Sequence, residues 1–117
     1  MTKRTALVPA PERIRGCCVA TAPPLPDRTA DELAAVYKAL ADPTRVQMLH
    51  MLKAAPEPIC VCDFTAAFDL GQPTVSHHLG KLKAEGFVDS FKQGVWAFYR
   101  LRDDMPDAAR SALSMIP

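Results

Sequence analysis

Between Leu70 and Gly86 the chain reads LGQPTVSHHLGKLKAEG, and the two ends of that stretch leave little choice about what lies between them. Pro73 lacks an N–H that a first helical turn has no partner for, and Gly86 suits the left-handed residue just past a helix end. A helix is therefore expected from Pro73 to Glu85. Val75, Leu79 and Leu82 recur at i, i+4 and i+7 as one apolar stripe, with Thr74, Ser76, His77, Gly80 and Lys81 outside it. An apolar back with a front of small hydrogen-bonding groups suits entry into a DNA major groove. An ordinary surface helix carries the same periodicity, so the flanking segments decide.

Before it, Cys62 to Phe68 reads as a short apolar helix with Phe64 and Ala67 or Phe68 available for a core. Asp69-Leu70-Gly71-Gln72 is then a turn too short for anything but a helix-turn-helix. After it the period changes. Phe87 to Phe91 and Val95 to Leu101 are aromatic and branched, Lys92-Gln93-Gly94 supplies turn chemistry, and an antiparallel hairpin is expected. Lys92 falls at its tip, and Arg100 and Arg102 near its base, where phosphates are within reach.

Upstream, Thr29-Ala30-Asp31-Glu32 matches a capping box and starts a helix to about Ala41, with Leu33, Val36, Tyr37 and Leu40 at helical spacing. Asp42 caps a second helix that Pro43 opens, and Val46, Leu49 and Leu52 line its face through about Ala54. Asp104 to Ile116 reads as a C-terminal helix with Pro106 in its first turn and Ala109, Ala112, Leu113 and Ile116 apolar. So short a helix has little to pack on within one small domain, which points to burial against the first helix and its mate in a second protomer. The expected fold is mainly α with a β-hairpin, a winged helix-turn-helix working as a homodimer. Such a dimer matches symmetric half-sites about one helical turn apart.

A chain of 117 residues is one domain. Residues 1–28 hold five of the eleven prolines with little periodicity and read as a flexible arm, leaving 29–117 as the DNA-binding and dimerisation domain. Net charge is only +1, but Gln72 to Arg102 carries five basic residues against two acidic ones, so the positive field gathers on the presumptive DNA side. No apolar run reaches the ~20 residues of a membrane span and the N-terminus lacks a signal-peptide core, so a cytoplasmic protein without membrane contact is expected. In a reducing compartment its four cysteines point to thiol or metal chemistry rather than disulfides.

Four strings in register, KALADPTRVQMLHML (Lys38 to Leu52), ICVCDF (Ile59 to Phe64), LGQPTVSHHLGKLKAEGFV (Leu70 to Val88) and GVWAFYRL (Gly94 to Leu101), make the chain resemble the ArsR/SmtB family of metal-responsive repressors. The resemblance implies a homodimer that sits on operator double-stranded DNA without metal and leaves when metal binds. It also implies that Cys60-Val61-Cys62-Asp63 is the arsenic, cadmium or lead site, closest to the arsenic-responsive members, some of which also carry a vicinal cysteine pair like Cys17-Cys18. The second family site, built from Asp and His on the C-terminal helix, is not expected, since Asp103 to Pro117 has no histidine.

Trivalent arsenic is thiophilic and takes three thiolates, whereas Cd(II) or Pb(II) takes three or four. Cys60 and Cys62 offer two, and at i, i+2 they converge only where the chain is extended or just turning into a helix. The third must come from Cys17 or Cys18, across a connection long enough to reach the other protomer; both arm cysteines with one of the CxC pair is an equal alternative. As(III) is the expected inducer, with Sb(III), Cd(II) or Pb(II) as alternatives and no organic cofactor. A buried Cys60 acting only as a small hydrophobe is the plain alternative for that residue.

For DNA, Gln72 and His77 are assigned to base edges, Thr74 and Ser76 to bases or backbone, and Lys81, Lys92 and Arg100 to phosphates. An oxidant sensor would share this fold. A thiol reductase is disfavoured because CxC is not the redox CxxC, and a metal carrier would leave the polar-fronted helix and basic hairpin without a purpose. No enzyme is expected.

Overall fold

A proline, not a threonine, starts the first helix. The structure, a computed structural model, describes residues 19–117, and in it α1 (Asp27–Leu40) follows Pro26, with Asp27 in its first turn where an acidic side chain favours the helix dipole. The capping box expected at Thr29 to Glu32 does not form. Helical geometry is already established at Asp27, and the Glu32 carboxylate accepts instead from Arg28 Nε at 3.0 Å, one turn back. Val36 and Ala39 are the buried residues of α1; Tyr37, expected inward, is 62% exposed.

Asp42 caps α2 (Pro43–Ala54) as expected, its carboxylate accepting from the backbone N–H groups of Thr44 (2.8 Å) and Arg45 (3.3 Å). Burial pushes this carboxyl up, but those two N–H groups, helped by the charges of His78 and Arg45, outweigh it and hold the group below its ordinary value. Asp42→Ala is therefore expected to cost about 0.5–2 kcal/mol at neutral pH, read by thermal unfolding. Because the folded-state pKa is depressed, the wild-type advantage is complete above the unfolded value near ~3.9 and is lost as pH falls through the folded one. The inner face of α2 is Met48, Leu49 and Leu52, with Val46 only half-buried.

A two-residue strand, β1 (Ile59–Cys60), follows and leads directly into α3 (Val61–Phe68) and α4 (Gln72–Ala84). Two residues are too few for alternation to show, so the sequence reading left β1 as a lead-in. Next come β2 (Val88–Gln93) and β3 (Trp96–Leu101), and the sheet order is β1-β3-β2, antiparallel throughout. The hairpin turn lies one residue later than expected, at Gly94–Val95, with Gln93 opposite Trp96 and Lys92 already in the strand opposite Ala97. Gly94 has φ +62° and Val95 does not share that sign, as a two-residue loop with its glycine first requires.

The last helix, α5 (Asp107–Leu113), is shorter than the expected Asp104 to Ile116. The residue before a proline avoids helical geometry, so Pro106 stands outside the helix as its cap. The expectation that this helix lacks a partner within one chain is overturned. Met105, Ala109, Ala112, Leu113 and Ile116 are all buried in the single chain, where α5 packs on α1. Lys53 Nζ donates to the carbonyls of Leu113 (3.3 Å) and Ile116 (2.5 Å), and His50 Nδ1–H donates to that of Pro117 (2.8 Å), so α2 satisfies groups the helix end leaves open.

Phe64, Phe87, Met48, Leu49, Leu79, Leu82, Val75 and Val88 are the largest fully buried side chains, and they join α2, α3, α4 and β2 in one core. Helix-turn-helix plus hairpin on that core is a winged helix-turn-helix. No helix among the described residues is long and apolar enough to cross a membrane.

Candidate nucleic-acid interface and thiol site

The turn between α3 and α4 is tight because Asp69 takes a left-handed conformation (φ 53°, ψ 44°), which Asp tolerates better than most residues. Its backbone N–H donates to the Thr65 carbonyl, and Gly71 caps α4, its carbonyl accepting from Val75 N–H at 3.1 Å. The stripe of Val75, Leu79 and Leu82 is completely buried, while Gln72, Thr74, Ser76, His77 and Lys81 stay exposed. The apolar back and polar front expected for this helix are therefore both present.

Two side chains hold α4 in place. Lys83 Nζ donates to Ser90 Oγ at 2.8 Å and links α4 to the wing, so it is not a free cation. On the other flank Arg45 Nε–H donates to His78 Nδ1 at 3.1 Å, and its Nη1 donates to the carbonyls of Lys38 (3.4 Å) and Ala39 (3.3 Å). Arg45 thus joins the end of α1, the start of α2 and the middle of α4. Sequence reasoning missed it, because its partners lie 33 residues away on α4 and behind it on α1.

In the wing, Lys92 is exposed near the tip. Arg100 pairs with Asp89 across the hairpin at 3.8 Å and lies over the Phe91 ring, 5.5 Å from its centroid, so it is pre-oriented along the strand. Arg102 turns away to Asp104, with two N–H donors at 3.1 Å each. That bidentate pairing holds the Asp104 carboxyl below its ordinary range and pushes Arg102 up. Arg102 belongs to the base of the wing rather than to a phosphate face.

Cys60 ends β1 and caps α3; Cys62 is the second residue of that helix. The break from extended to helical backbone is what lets thiols at i, i+2 converge, as the spacing required. Cys60 is only 5% exposed and Cys62 is open to solvent. The Cys60 backbone N–H donates to Asp63 Oδ2 at 3.3 Å, so a thiol stands where a capping box carries Ser or Thr. The Cys60 side chain, close enough to accept a hydrogen bond from Cys62, pushes the Cys62 thiol up, and burial and the charges of Cys60 and Asp63 add to this.

A cavity of about 250 Å³ opens beside the pair, lined among others by Cys60, Cys62, Gln72, Lys92 and Trp96. It brings both thiols together with the first residue of α4 and the tip of the wing. Gln72, assigned to DNA, therefore also faces the thiol site. Among the described residues no cluster of three or more His, Cys, Asp or Glu side chains is placed to hold a metal ion. Cys17 and Cys18 lie outside the described residues.

The model of the family described as bacterial regulatory protein, arsR family, matches residues 42–90, from the cap of α2 into the wing. An uncharacterized HTH-type transcriptional regulator of Methanocaldococcus jannaschii is 42% identical over 74 residues, 63% of this chain and 82% of that protein. An arsenic resistance transcriptional regulator of Pseudomonas putida is 41% identical over 61% of this chain, and a cadmium resistance regulatory protein of Listeria innocua 39% identical over 57%. The match spans 55% and 56% of those two proteins. Among solved structures, a homodimeric winged helix-turn-helix DNA-binding domain of Mycobacterium bovis superposes with TM-score 0.62 at 32% identity, covering 79% of this chain and 83% of that one.

Proposed function

The chain belongs to the arsR family of bacterial regulatory proteins, DNA-binding transcriptional regulators, and from that premise we propose that it is a cytoplasmic, homodimeric repressor that leaves its operator when its thiols take up As(III). The observation that carries this reading is the cavity shared by Cys60, Cys62, Gln72 and Lys92. Whatever the thiols bind lies against two residues assigned to DNA. Sensing and reading are neighbours, with no long route between them.

In this reading Gln72, Thr74, Ser76 and His77 face bases, and Lys81, Lys92 and Arg100 face phosphates. Cys60 and Cys62 supply two thiolates, and Cys17 or Cys18 from the arm supplies the third. The bound ion provides a pyramidal thiolate centre; the chain does the rest. Cys60 is fixed by β1–β3 pairing opposite Phe98, so drawing Cys62 and an arm cysteine toward it loads the wing through β3 and crowds Gln72. Dimerisation is supported by apolar groups left exposed along α1 and the C-terminal end, among them Tyr37 and Met115.

Linkage requires that an ion preferring the free dimer weaken DNA binding by the same factor, for a coupling of ~1–3 kcal/mol, or about 5–150-fold in affinity. The test is fluorescence anisotropy of the full-length protein on a labelled duplex from the DNA upstream of its own gene. Arsenite is expected to release wild type, while Cys60→Ser/Cys62→Ser keeps its DNA through the same titration. Equal release of both proteins would sink the thiol assignment. Cd(II), Pb(II) and Sb(III) are run alongside, since a cadmium regulator is also similar to this chain.

A further inference from the structure

We propose that the thiol cavity takes a trivalent arsenical bearing one organic substituent, with arsenic on Cys60 and Cys62 and the substituent against Trp96. The proposal rests on the thiol site above and extends the class of ligand it accepts. Inorganic As(III) has three positions to fill with thiolate, and this part of the fold offers two. An aryl- or alkylarsonous acid already has carbon in one position, so the converging pair completes it without the arm.

The cavity has a place for that carbon group. Beside the thiols its wall is Val61, Val95, Trp96 and Ala97, on the entrance to α3 and at the wing tip. Val95 is 87% and Trp96 55% exposed, large apolar surfaces on a hairpin end whose neighbours Lys92 and Gln93 are polar. At about 250 Å³ the space exceeds the ~150 Å³ that suffices for benzene in an apolar cavity. A phenyl ring on thiol-bound arsenic would cover part of the indole.

The chemistry balances without an oxidant. Two As–O bonds break and two As–S bonds form. Each thiol proton leaves with an arsenic-bound hydroxyl as water, so two waters depart, and arsenic remains trivalent with its As–C bond intact.

The experiment compares phenylarsonous acid with arsenite on the full-length protein. Three readouts are used: thiols left reactive, intact mass of the adduct, and fluorescence of Trp96, the one tryptophan in the chain. With Cys17→Ser/Cys18→Ser, phenylarsonous acid is expected to block Cys60 and Cys62 and change the indole emission at wild-type concentrations, whereas arsenite weakens by roughly tenfold or more. Trp96→Ala should weaken phenylarsonous acid by roughly threefold to tenfold and leave arsenite nearly unaffected. The proposal is overturned if the phenyl arsenical needs the arm cysteines as arsenite does, or if neither the emission nor the Trp96→Ala protein distinguishes the two. A Cys60→Ser/Cys62→Ser protein that still binds arsenite like wild type would instead bring down the thiol site itself.

Discussion

Gly86→Ala is expected to lower the midpoint of thermal unfolding by roughly 10–30 °C, at about 4–8 °C per kcal/mol for a domain of this size. Two costs combine. Gly86 has φ +83°, where an L side chain is strained by about 1–2 kcal/mol. A Cβ there would also lie 2.7 Å from Cδ and 2.8 Å from Cγ of Pro106, ring atoms tied to the backbone that cannot swing aside. Relieving that overlap must move the start of α5 away from the end of α4, at about 1–3 kcal/mol for overpacking. Gly80→Ala is the internal control. It sits mid-helix with nothing within 4 Å of the added carbon, and should stabilise by about 0.5–1 kcal/mol. The same substitution six residues apart is thus expected to change sign, and a Gly86→Ala loss no larger than a few degrees would mean that α5 docks more loosely than its contacts imply.

Phe64→Ala is expected to cost about 3–5 kcal/mol, read as a lower midpoint in urea at unchanged slope. Phe64 is fully buried, stacks at 6.5 Å on Phe68, and is the main side chain by which α3 reaches the core. Since a whole domain is stable by only ~5–15 kcal/mol, the variant should lie near the edge of folding. Phe68→Ala is the companion measurement. Its ring is only half-buried and its loss should cost clearly less. Equal costs would mean that the pair, rather than Phe64 alone, anchors the helix beneath the thiols.

Where local chemistry acts alone, the sequence was readable. Asp42-Pro43 predicted both ends of α2 with its cap, and the stripe of Val75, Leu79 and Leu82 predicted the buried side of α4. Where two signals compete locally, boundaries slipped. Thr29 and Glu32 look like a cap, but Pro26 and Asp27 start the helix first. Tertiary partners were the least legible. Ala39 and Met48 are core while Tyr37 is not, because neighbouring helices and not periodicity choose among apolar residues on a broad face. The burial of α5 could not be anticipated from its own alanines, since Lys53 and His50 of α2 hold its end. For the site, CxC spacing foretold converging thiols at a strand-to-helix break. It gave no sign that Gln72, Lys92 and Trp96 share their cavity, for β1–β3 pairing is what carries the wing tip there.

Arg45 has a kinematic consequence. By fastening the last carbonyls of α1 to the middle of α4, it makes those two helices a single lever. In a dimer joined through α1, the spacing between the two reading helices is then set at the subunit junction, and any tilt there is passed on undiminished to both half-sites. The hairpin, outside that lever, is the member free to move by itself, and the thiols are wired to it.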